Sequence, residues 1–369
     1  MRIGFDGKRM TQNFTGLGNY SRYLVRLLTK FYPENYYSSY AIKAPSTKLL
    51  ITGVNYKYPG SKSIKSYWRS LGIIQNLKSD NIDVFHGLSN EIPFGLKNAG
   101  IQSVVTVHDL IFIRYPEYYA LFDRIIYKLK LRYAISSADK IIAISNQTRK
   151  DLIHYLNVES DRIKVIYQNC DPIFFTKASV ENKHKVQKKY NLPERYILNV
   201  GTIEERKNLL LVIKALKDIK DIHLVVVGKD TPYSTRVKSY IMSHDLQQRV
   251  HFIKNADHSD LPAIYQSAQL FIYPSRFEGF GIPIVEALHS GIPVIAATGS
   301  CLEEAGGRGS IYIDPDDEAS LARQINMVLG NSEQRNMMIR AGYDHVKNFS
   351  DEKIATEIIE VYKEVLTHA

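Results

Sequence analysis

The densest run of chemistry in this 369-residue chain is Tyr273-Pro-Ser-Arg-Phe-Glu-Gly-Phe-Gly-Ile-Pro-Ile-Val-Glu286. A strand-like run ends at Tyr273, and Glu278 then stands between Arg276 and the triplet Gly279-Phe280-Gly281. A helix is expected from about Pro283, since proline suits the first helical turn, and Glu286 is expected in that turn. Gly279 and Gly281 let the backbone approach a ligand closely. Backbone N–H groups at a helix start suit a diphosphate. The Glu286 carboxylate suits a vicinal diol such as a ribose. Glu278 suits sugar hydroxyls or positive charge at an anomeric carbon. Taken singly, Gly-x-Gly is a tight turn and each Glu a surface residue; the whole string fits an anion and sugar site better.

Other candidates are weaker alone. Arg206-Lys207 in Gly201-Thr-Ile-Glu-Glu-Arg-Lys-Asn208 puts two cations in one loop, which by itself reads as exposed. Gly16 and Gly18 in Thr15-Gly-Leu-Gly-Asn-Tyr20 follow a strand and open a helix. Ser21 stands where a dinucleotide fingerprint needs its third glycine. His108-Asp109 closes the run Val104-Val-Thr-Val; the plain alternative is a histidine capped by its neighbour. His86, in Val-Phe-His-Gly, is expected to line a cleft. Asp314-Pro-Asp-Asp317 could suggest a metal site but reads better as a turn and helix N-cap. Cys170 and Cys301 have no metal-ligand spacing and read as inert thiols.

These residues need elements to hold them. Short apolar runs alternate with longer amphipathic stretches. Strands are expected at 2–5, 84–86, 103–107 and 140–144, then at 196–200, 223–227, 250–252, 270–273, 293–296 and 310–313. Helices are expected at 19–31, around 65–77, and at 119–136, 208–216, 234–244, 261–267, 283–290, 318–329 and 351–367, the last capped by Ser350 or Asp351. Such alternation argues for parallel sheets covered by helices on both faces. The pattern restarts near 195, and the Lys-rich segment 171–194 reads as a connection. Two doubly wound domains follow, with ligands expected outside the carboxyl ends of the strands, in a cleft shared by both.

Bulk composition bounds the alternatives. The chain is 44% hydrophobic and 23% charged, both globular values. No apolar run reaches the roughly 20 residues of a membrane span, and the N-terminus lacks a signal-peptide pattern. A cytoplasmic protein is expected. Residues 1–170 carry 24 Lys+Arg against 12 Asp+Glu, a net of +12, whereas 171–369 carry 24 against 26, a net of −2. The basic half suits a polyanion, either an acidic membrane surface or a phosphorylated acceptor, or is simply a solvated face. No nucleic-acid-binding signature is present, so nucleic acid is not expected. Two amphipathic basic stretches, 62–78 and 118–132, suit either an anionic membrane surface or ordinary packing with a basic outer face.

The 273–294 segment resembles the Glu-x7-Glu motif of the retaining family 4 glycosyltransferases, with Glu278 and Glu286 at its two positions. Glu278-Gly-Phe-Gly-Ile-Pro283 and Ala287-x-x-x-Gly291-x-Pro293-Val294 also match. The loop Gly201 to Asn208 is similar to that family's Gly-x(n)-Arg-Lys-Asn loop, and the likeness covers nearly the whole chain. The fold implied is α/β GT-B, two Rossmann-like doubly wound domains facing a cleft. Residues 1–175 would form the acceptor domain, with the helix at 351–369 packing back on it, and 176–350 the nucleotide-sugar donor domain. Arg206 and Lys207 would clamp the donor diphosphate, a task two cations suit. Glu278 and the backbone of Gly279, Phe280, Gly281 and Ile282 would hold the sugar, and Glu286 the ribose. The Gly16–Gly18 loop would touch donor phosphate or acceptor, and His108 would lie beside the transferred sugar. A leaving phosphate oxygen would take the acceptor proton. No metal or cofactor is implied, since basic residues replace the cation.

Two places depart from the family. Thr202 stands where some relatives have Arg, so phosphate binding rests on Arg206 and Lys207. Gln168-Asn169-Cys170 replaces Pro-Asn-Gly in a hinge loop. The resemblance leans towards GDP-mannose as donor, through Thr106-Val-His-Asp-Leu110 and Arg114-Tyr-Pro-Glu117; UDP-glucose and UDP-N-acetylglucosamine stay open. The acceptor implied is a saccharide or lipid-linked oligosaccharide of the cell envelope, reached from the inner face of the membrane. Two rivals fit the same residues: a nucleotide-sugar epimerase, which needs no acceptor, and a non-catalytic sugar-nucleotide binding protein.

Overall fold

The computed structural model describes residues 1–13, 15–60 and 64–367. The chain divides into two compact units: Met1–Gln168 with Phe349–Ala369, and Asn169–Asn348. The first division falls a few residues before the expected 175/176.

The first unit is built on a seven-stranded sheet: β1 Arg2–Asp6, β2 Tyr36–Tyr40, β3 Val54–Lys57, β4 Val84–Gly87, β5 Gln102–Val107, β6 Lys140–Ala143 and β7 Ile163–Val165. Their spatial order is β3-β2-β1-β4-β5-β6-β7. The pairs are parallel, with Ile3 opposite both Tyr37 and Val84. Ile3, Phe5, Val84, Phe85, Val104 and Val105 are fully buried, as expected of a sheet covered on both faces. Helix Gly16–Phe31 buries Leu24, Val25, Leu27 and Leu28. Helix Asp351–Thr367 packs beside it through Tyr23 OH to Asp351 Oδ1 at 2.9 Å and Tyr32 OH with Thr356 Oγ1 at 2.9 Å.

Three strands here escape sequence reading. β2 is Tyr-Tyr-Ser-Ser-Tyr, and its buried Ser38 and Ser39 break the apolar signal. β3, Val-Asn-Tyr-Lys, shows no apolar run, and β7 spans three residues. The short helices Lys8–Gln12 and Ile111–Arg114, and Asn146–Leu156, are further additions. The helix expected around 65–77 is interrupted: Lys65–Tyr67 runs into a π-turn at Trp68–Gly72 before Ile73–Ser79. The start of the 62–78 amphipathic stretch, Lys62, lies outside the described residues.

The second unit holds a six-stranded parallel sheet: β8 Tyr196–Val200, β9 His223–Val227, β10 Val250–Ile253, β11 Leu270–Tyr273, β12 Val294–Ala297 and β13 Ile311–Ile313. Their order is β10-β9-β8-β11-β12-β13. All six correspond to expected strands. The core gathers Ile197, Leu224, Val226, Leu270, Ile272 and Ile295, all fully buried. The supposed connection at 171–194 is a correction: it contains helix Val180–Tyr190, capped by the Ser179 side chain and closed by Asn191 at φ 50°. Its one deeply buried residue is Val186, so the apolar stripe is too thin to recognise. Helices Leu302–Gly306 and Ser332–Val346 are likewise additions to the expected set.

Candidate functional site

In the second unit, two loops meet beyond the carboxyl ends of β8 and β11. After β8 the chain makes a short turn at Glu205–Lys207, and Asn208 at φ 57° starts helix Leu209–Ala215. Asn208 Nδ2 donates to the Pro315 carbonyl at 2.7 Å, pinning the turn. The loop after β11 is tied to it by the Arg276 N–H on the Arg206 carbonyl at 2.9 Å. Arg206 and Lys207 therefore face the Glu278 segment.

Four donors converge on one carboxylate oxygen. Glu278 Oε1 accepts from Lys207 Nζ at 2.5 Å, Ser275 Oγ at 2.5 Å and Tyr273 OH at 3.2 Å, and Arg206 Nη1 lies at 2.8 Å. The side chains are recessed, 16% exposed for each cation and 12% for Glu278. Burial pushes the Glu278 carboxyl up, but the Lys207 and Arg206 charges outweigh it and hold it at about 2. Burial lowers the Lys207 ammonium while Glu278 opposes that shift. Arg206 also holds Glu204 Oε1 at 2.6 Å and the Phe277 carbonyl. This is a preformed, charged cluster. A dianion entering it would take over cations that Glu278 now occupies.

The glycine triplet turns the chain into helix Ile282–His289. Gly281 sits at φ +116°, and a Cβ there would stand 3.0 Å from Leu302 Cδ2. Pro283 brings no N–H, and the Ile284 N–H bonds to the Gly281 carbonyl at 2.9 Å. Cys301 Sγ lies 3.0 Å from the Glu278 carbonyl and 3.2 Å from that of Phe280, so this buried thiol props the loop. Cys170 is buried as well.

Glu286 is a correction in detail. The helix starts at Ile282, so Glu286 is its fifth residue, one turn in rather than in the first turn. It is half-buried, and Tyr265 OH donates to its Oε2 at 2.7 Å. Burial raises its carboxyl to about 7, with the Tyr265 hydrogen bond and nearby His258 opposing the rise. His258 Nε2 pairs with Asp171 Oδ2 at 3.1 Å. Tyr265 and His258 come from segments with no motif, and Asp171 directly follows the hinge loop Gln168-Asn169-Cys170. Tyr265 reads in sequence as a core aromatic of Leu-Pro-Ala-Ile-Tyr-Gln-Ser.

In the first unit, Gly16 opens helix Gly16–Phe31 with open space around it. A Cβ on Gly18 would fall 1.9 Å from the Asn13 carbonyl. Gly18 is thus required by the chain's own packing, whatever else approaches it. His108 is nearly buried, and its Nε2–H donates to the Leu88 carbonyl at 2.9 Å. That bond fixes the tautomer and leaves Nδ1 as the acceptor nitrogen. Burial lowers its imidazole to about 4, so it is neutral near pH 7. The Tyr20 ring meets it edge-on at 4.6 Å. His86 does not line an open surface. It is fully buried, with Nδ1 2.6 Å from Tyr362 OH and Nε2 2.8 Å from Thr106 Oγ1.

Asp314-Pro-Asp-Asp317 is the expected turn and cap. Asp314 Oδ1 accepts from the Asp316 N–H at 2.8 Å, and Asp317 caps the Ser320 N–H at 2.7 Å. Among the described residues no group of three or more His, Cys, Asp or Glu is placed to hold a metal.

Comparison with known proteins places both halves. Residues 16–172 match the family described as Glycosyltransferase Family 4, and residues 180–345 match Glycosyl transferases group 1. The chain is 28% identical over 286 residues to O-antigen chain mannosyltransferase B of Escherichia coli, covering 76% of this chain and 74% of that one. It is 28% identical over 289 residues to O-antigen chain mannosyltransferase RfbU of Salmonella typhimurium, covering 77% and 76%. Among solved structures, sucrose-phosphate synthase from Thermosynechococcus elongatus superposes with TM-score 0.80 at 19% identity over the full length of both chains. The Anabaena protein HepE, solved in complex with UDP and glucose, gives TM-score 0.79 at 19% identity, covering 99% of this chain and 100% of that one. These likenesses show the GT-B fold.

Proposed function

The chain belongs to the family 4 glycosyltransferases of the GT-B fold, and from that premise we propose that it moves a hexose from a nucleoside diphosphate sugar to an acceptor hydroxyl with retained anomeric configuration. The observation that carries this reading is the convergence of Arg206 and Lys207 on Glu278. Two recessed cations beside a carboxylate suit a leaving diphosphate next to a sugar.

In this reading Arg206 and Lys207 take the charge that develops on the departing phosphate oxygen. Because these cations supply that charge, no metal ion is needed. Glu278 and the backbone from Gly279 to Ile282 hold the sugar, and the Glu286 carboxylate takes the ribose hydroxyls. On the first unit, neutral His108 offers Nδ1 as an acceptor for a hydroxyl of the transferred sugar, and the Gly16–Gly18 loop contacts phosphate or acceptor. The acceptor proton leaves on a phosphate oxygen of the product. GDP-mannose is the proposed donor; the mannosyltransferase relatives support it. The proposed acceptor is a saccharide or lipid-linked oligosaccharide of an envelope polysaccharide, as the O-antigen relatives suggest.

We also propose peripheral contact with an anionic membrane. No helix among the described residues is long and apolar enough to cross a bilayer. Helix Leu121–Ser137, however, leaves Leu121, Phe122, Ile125 and Leu129 between 50% and 73% exposed. Arg124, Lys128, Lys130 and Arg132 lie on the same helix. Apolar side chains with interleaved cations suit an interface of acyl chains and acidic headgroups.

The direct test is Lys207→Ala. Transfer from GDP-mannose should fall by at least about a hundredfold with the circular dichroism spectrum unchanged. Full activity in this variant would sink the assignment.

A further inference from the structure

The strong positive charge of the first unit is not used by the donor chemistry above. Its sheet order shows where such charge could matter. β1 lies between β2 and β4, so the strand order reverses at β1/β4. In open parallel sheets the crevice outside the carboxyl ends at such a reversal is where ligands bind. Asp6 ends β1 and is followed by Gly7 and Lys8, while Glu91 follows β4.

A cavity of about 610 Å³ opens at this point, lined by Lys8, Lys65, Arg69 and Lys130 with Ser66 and Ser70. That volume falls in the range of pockets that hold small organic ligands. A smaller adjoining recess brings in Asp6 and Glu91 with the apolar walls Phe85, Ile92 and Phe94. Arg69, from the π-turn, is clamped at the rear. Its Nη2 and Nε reach Asp6 at 2.5 and 3.2 Å, and its Nη1 reaches Glu91 at 2.6 Å. Two carboxylates are thus engaged by one guanidinium. Lys130 touches Glu91 from farther away, at 3.4 Å. Among the described residues Lys8 and Lys65 make no ion pair. Four cations face two carboxylates, a surplus of +2 in a concave, partly desolvated place. Burial, followed by the Arg69 charge, pulls the Lys8 ammonium below its ordinary range. Glu91 and Asp6 oppose this only in part, and a further anion beside Lys8 would favour its charged form. An ordinary solvated basic face would not be concave and would not sit at the strand-order reversal.

We propose that this crevice binds a phosphate or diphosphate group of the acceptor, with Lys8 and Lys65 as its counter-ions and Arg69 held as a positioning residue by Asp6 and Glu91. Two separated lysines suit a group with more than one negative charge better than a single carboxylate. The apolar wall beside them suits a lipid carrier or the face of a sugar ring. The inference rests on the glycosyltransferase reading, in which the donor diphosphate belongs to Arg206 and Lys207.

The test uses the full chain with GDP or UDP at saturation, so that the donor site is filled. Inorganic pyrophosphate is then titrated by calorimetry. One further site is expected, weakened roughly tenfold by Lys8→Ala and again by Lys65→Ala, held within about threefold by Lys8→Arg, which keeps the charge, and unchanged in Lys207→Ala. Both lysines reach solvent, so the variants fold, and Lys8→Arg separates lost charge from lost structure. Farnesyl diphosphate and mannose 6-phosphate, titrated in the same way, identify the source. Tighter Lys8-dependent binding of the first assigns the phosphate to a lipid carrier, and of the second to a phosphorylated sugar. If neither these probes nor pyrophosphate respond to Lys8→Ala and Lys65→Ala, the crevice is not an anion site. A chain that binds neither GDP nor UDP but still binds pyrophosphate through Lys8 would instead overturn the donor reading and leave this one standing.

Discussion

Glu278→Gln separates two jobs of one carboxylate. Ionised Glu278 is the shared partner of Lys207 and Arg206, and its carboxyl is held at about 2 against an ordinary 4.5. Each pKa unit corresponds to about 1.4 kcal/mol, so the ionised form is favoured by about 3 kcal/mol in the folded unit. Since the folded pKa lies below the unfolded one, this stability is fully present above about pH 4.5 and is lost as pH falls towards 2. Glutamine keeps the shape and the contacts to Ser275 and Tyr273 but leaves two recessed cations without their anion. The variant should lose about 3 kcal/mol at pH 7, a fall in Tm of roughly 6–12 °C for a unit of this size. It should also lack the acid-sensitive part of the parent's stability curve. Nucleoside diphosphate faces the opposite balance, because in the variant it no longer competes with Glu278. Differential scanning calorimetry with and without GDP reads both. GDP should bind at least as tightly as to the parent and restore part of the lost Tm, while sugar transfer is abolished. A variant as stable as the parent, or one whose GDP affinity drops as far as in Lys207→Ala, would refute the reasoning.

Further outcomes follow from three other sites. Glu286 is raised to about 7 by burial, so its carboxylate form is lost as pH falls through neutrality; the KM for donor should rise between pH 8 and 6, and Glu286→Gln should flatten that dependence. The same raised pKa means that folding stability falls as pH rises from 4.5 to 7, and urea titrations of Glu286→Gln should show that slope removed. Gly281→Ala forces a Cβ into φ +116° and against Leu302, so urea unfolding should report a loss of about 1–3 kcal/mol. Phe122→Ser with Leu129→Ser should reduce cosedimentation with phosphatidylglycerol vesicles by roughly tenfold or more and leave neutral phosphatidylcholine vesicles unbound, as in the parent.

Much of the fold is legible because burial on both faces leaves continuous apolar runs. A run such as Leu224, Val225, Val226 and Val227 announces a central strand whatever surrounds it. Where burial is met by other residue types, the signal fails. β2 buries Ser38 and Ser39, and helix Val180–Tyr190 buries chiefly Val186. The donor loop is legible for a related reason. Glu278, Gly281 and Glu286 lie within nine positions of one strand–loop–helix, so spacing alone places them near one another. Arg206-Lys207 could be joined to them only by resemblance, and the structure brings them into contact.

What tertiary structure alone decides is which side chains meet and in which ionisation state. Asp6, Arg69, Glu91 and Lys130 come from four separate segments, and no local pattern relates them. His86 lies within β4 and His108 directly follows β5, yet each closes an apolar run and they look alike in sequence. The first is sealed under Tyr362 of the last helix, and the second keeps Nδ1 as its acceptor. Glu278 and Glu286, the two carboxylates of a single motif, diverge most. One meets Lys207 and Arg206 and is held at about 2, whereas the other, half-buried, meets a Tyr265 hydroxyl and, among the described residues, no cation in contact, and is raised by desolvation to about 7. Spacing along the chain places a carboxylate, but its charge depends on the desolvation and the partners that distant segments bring to it.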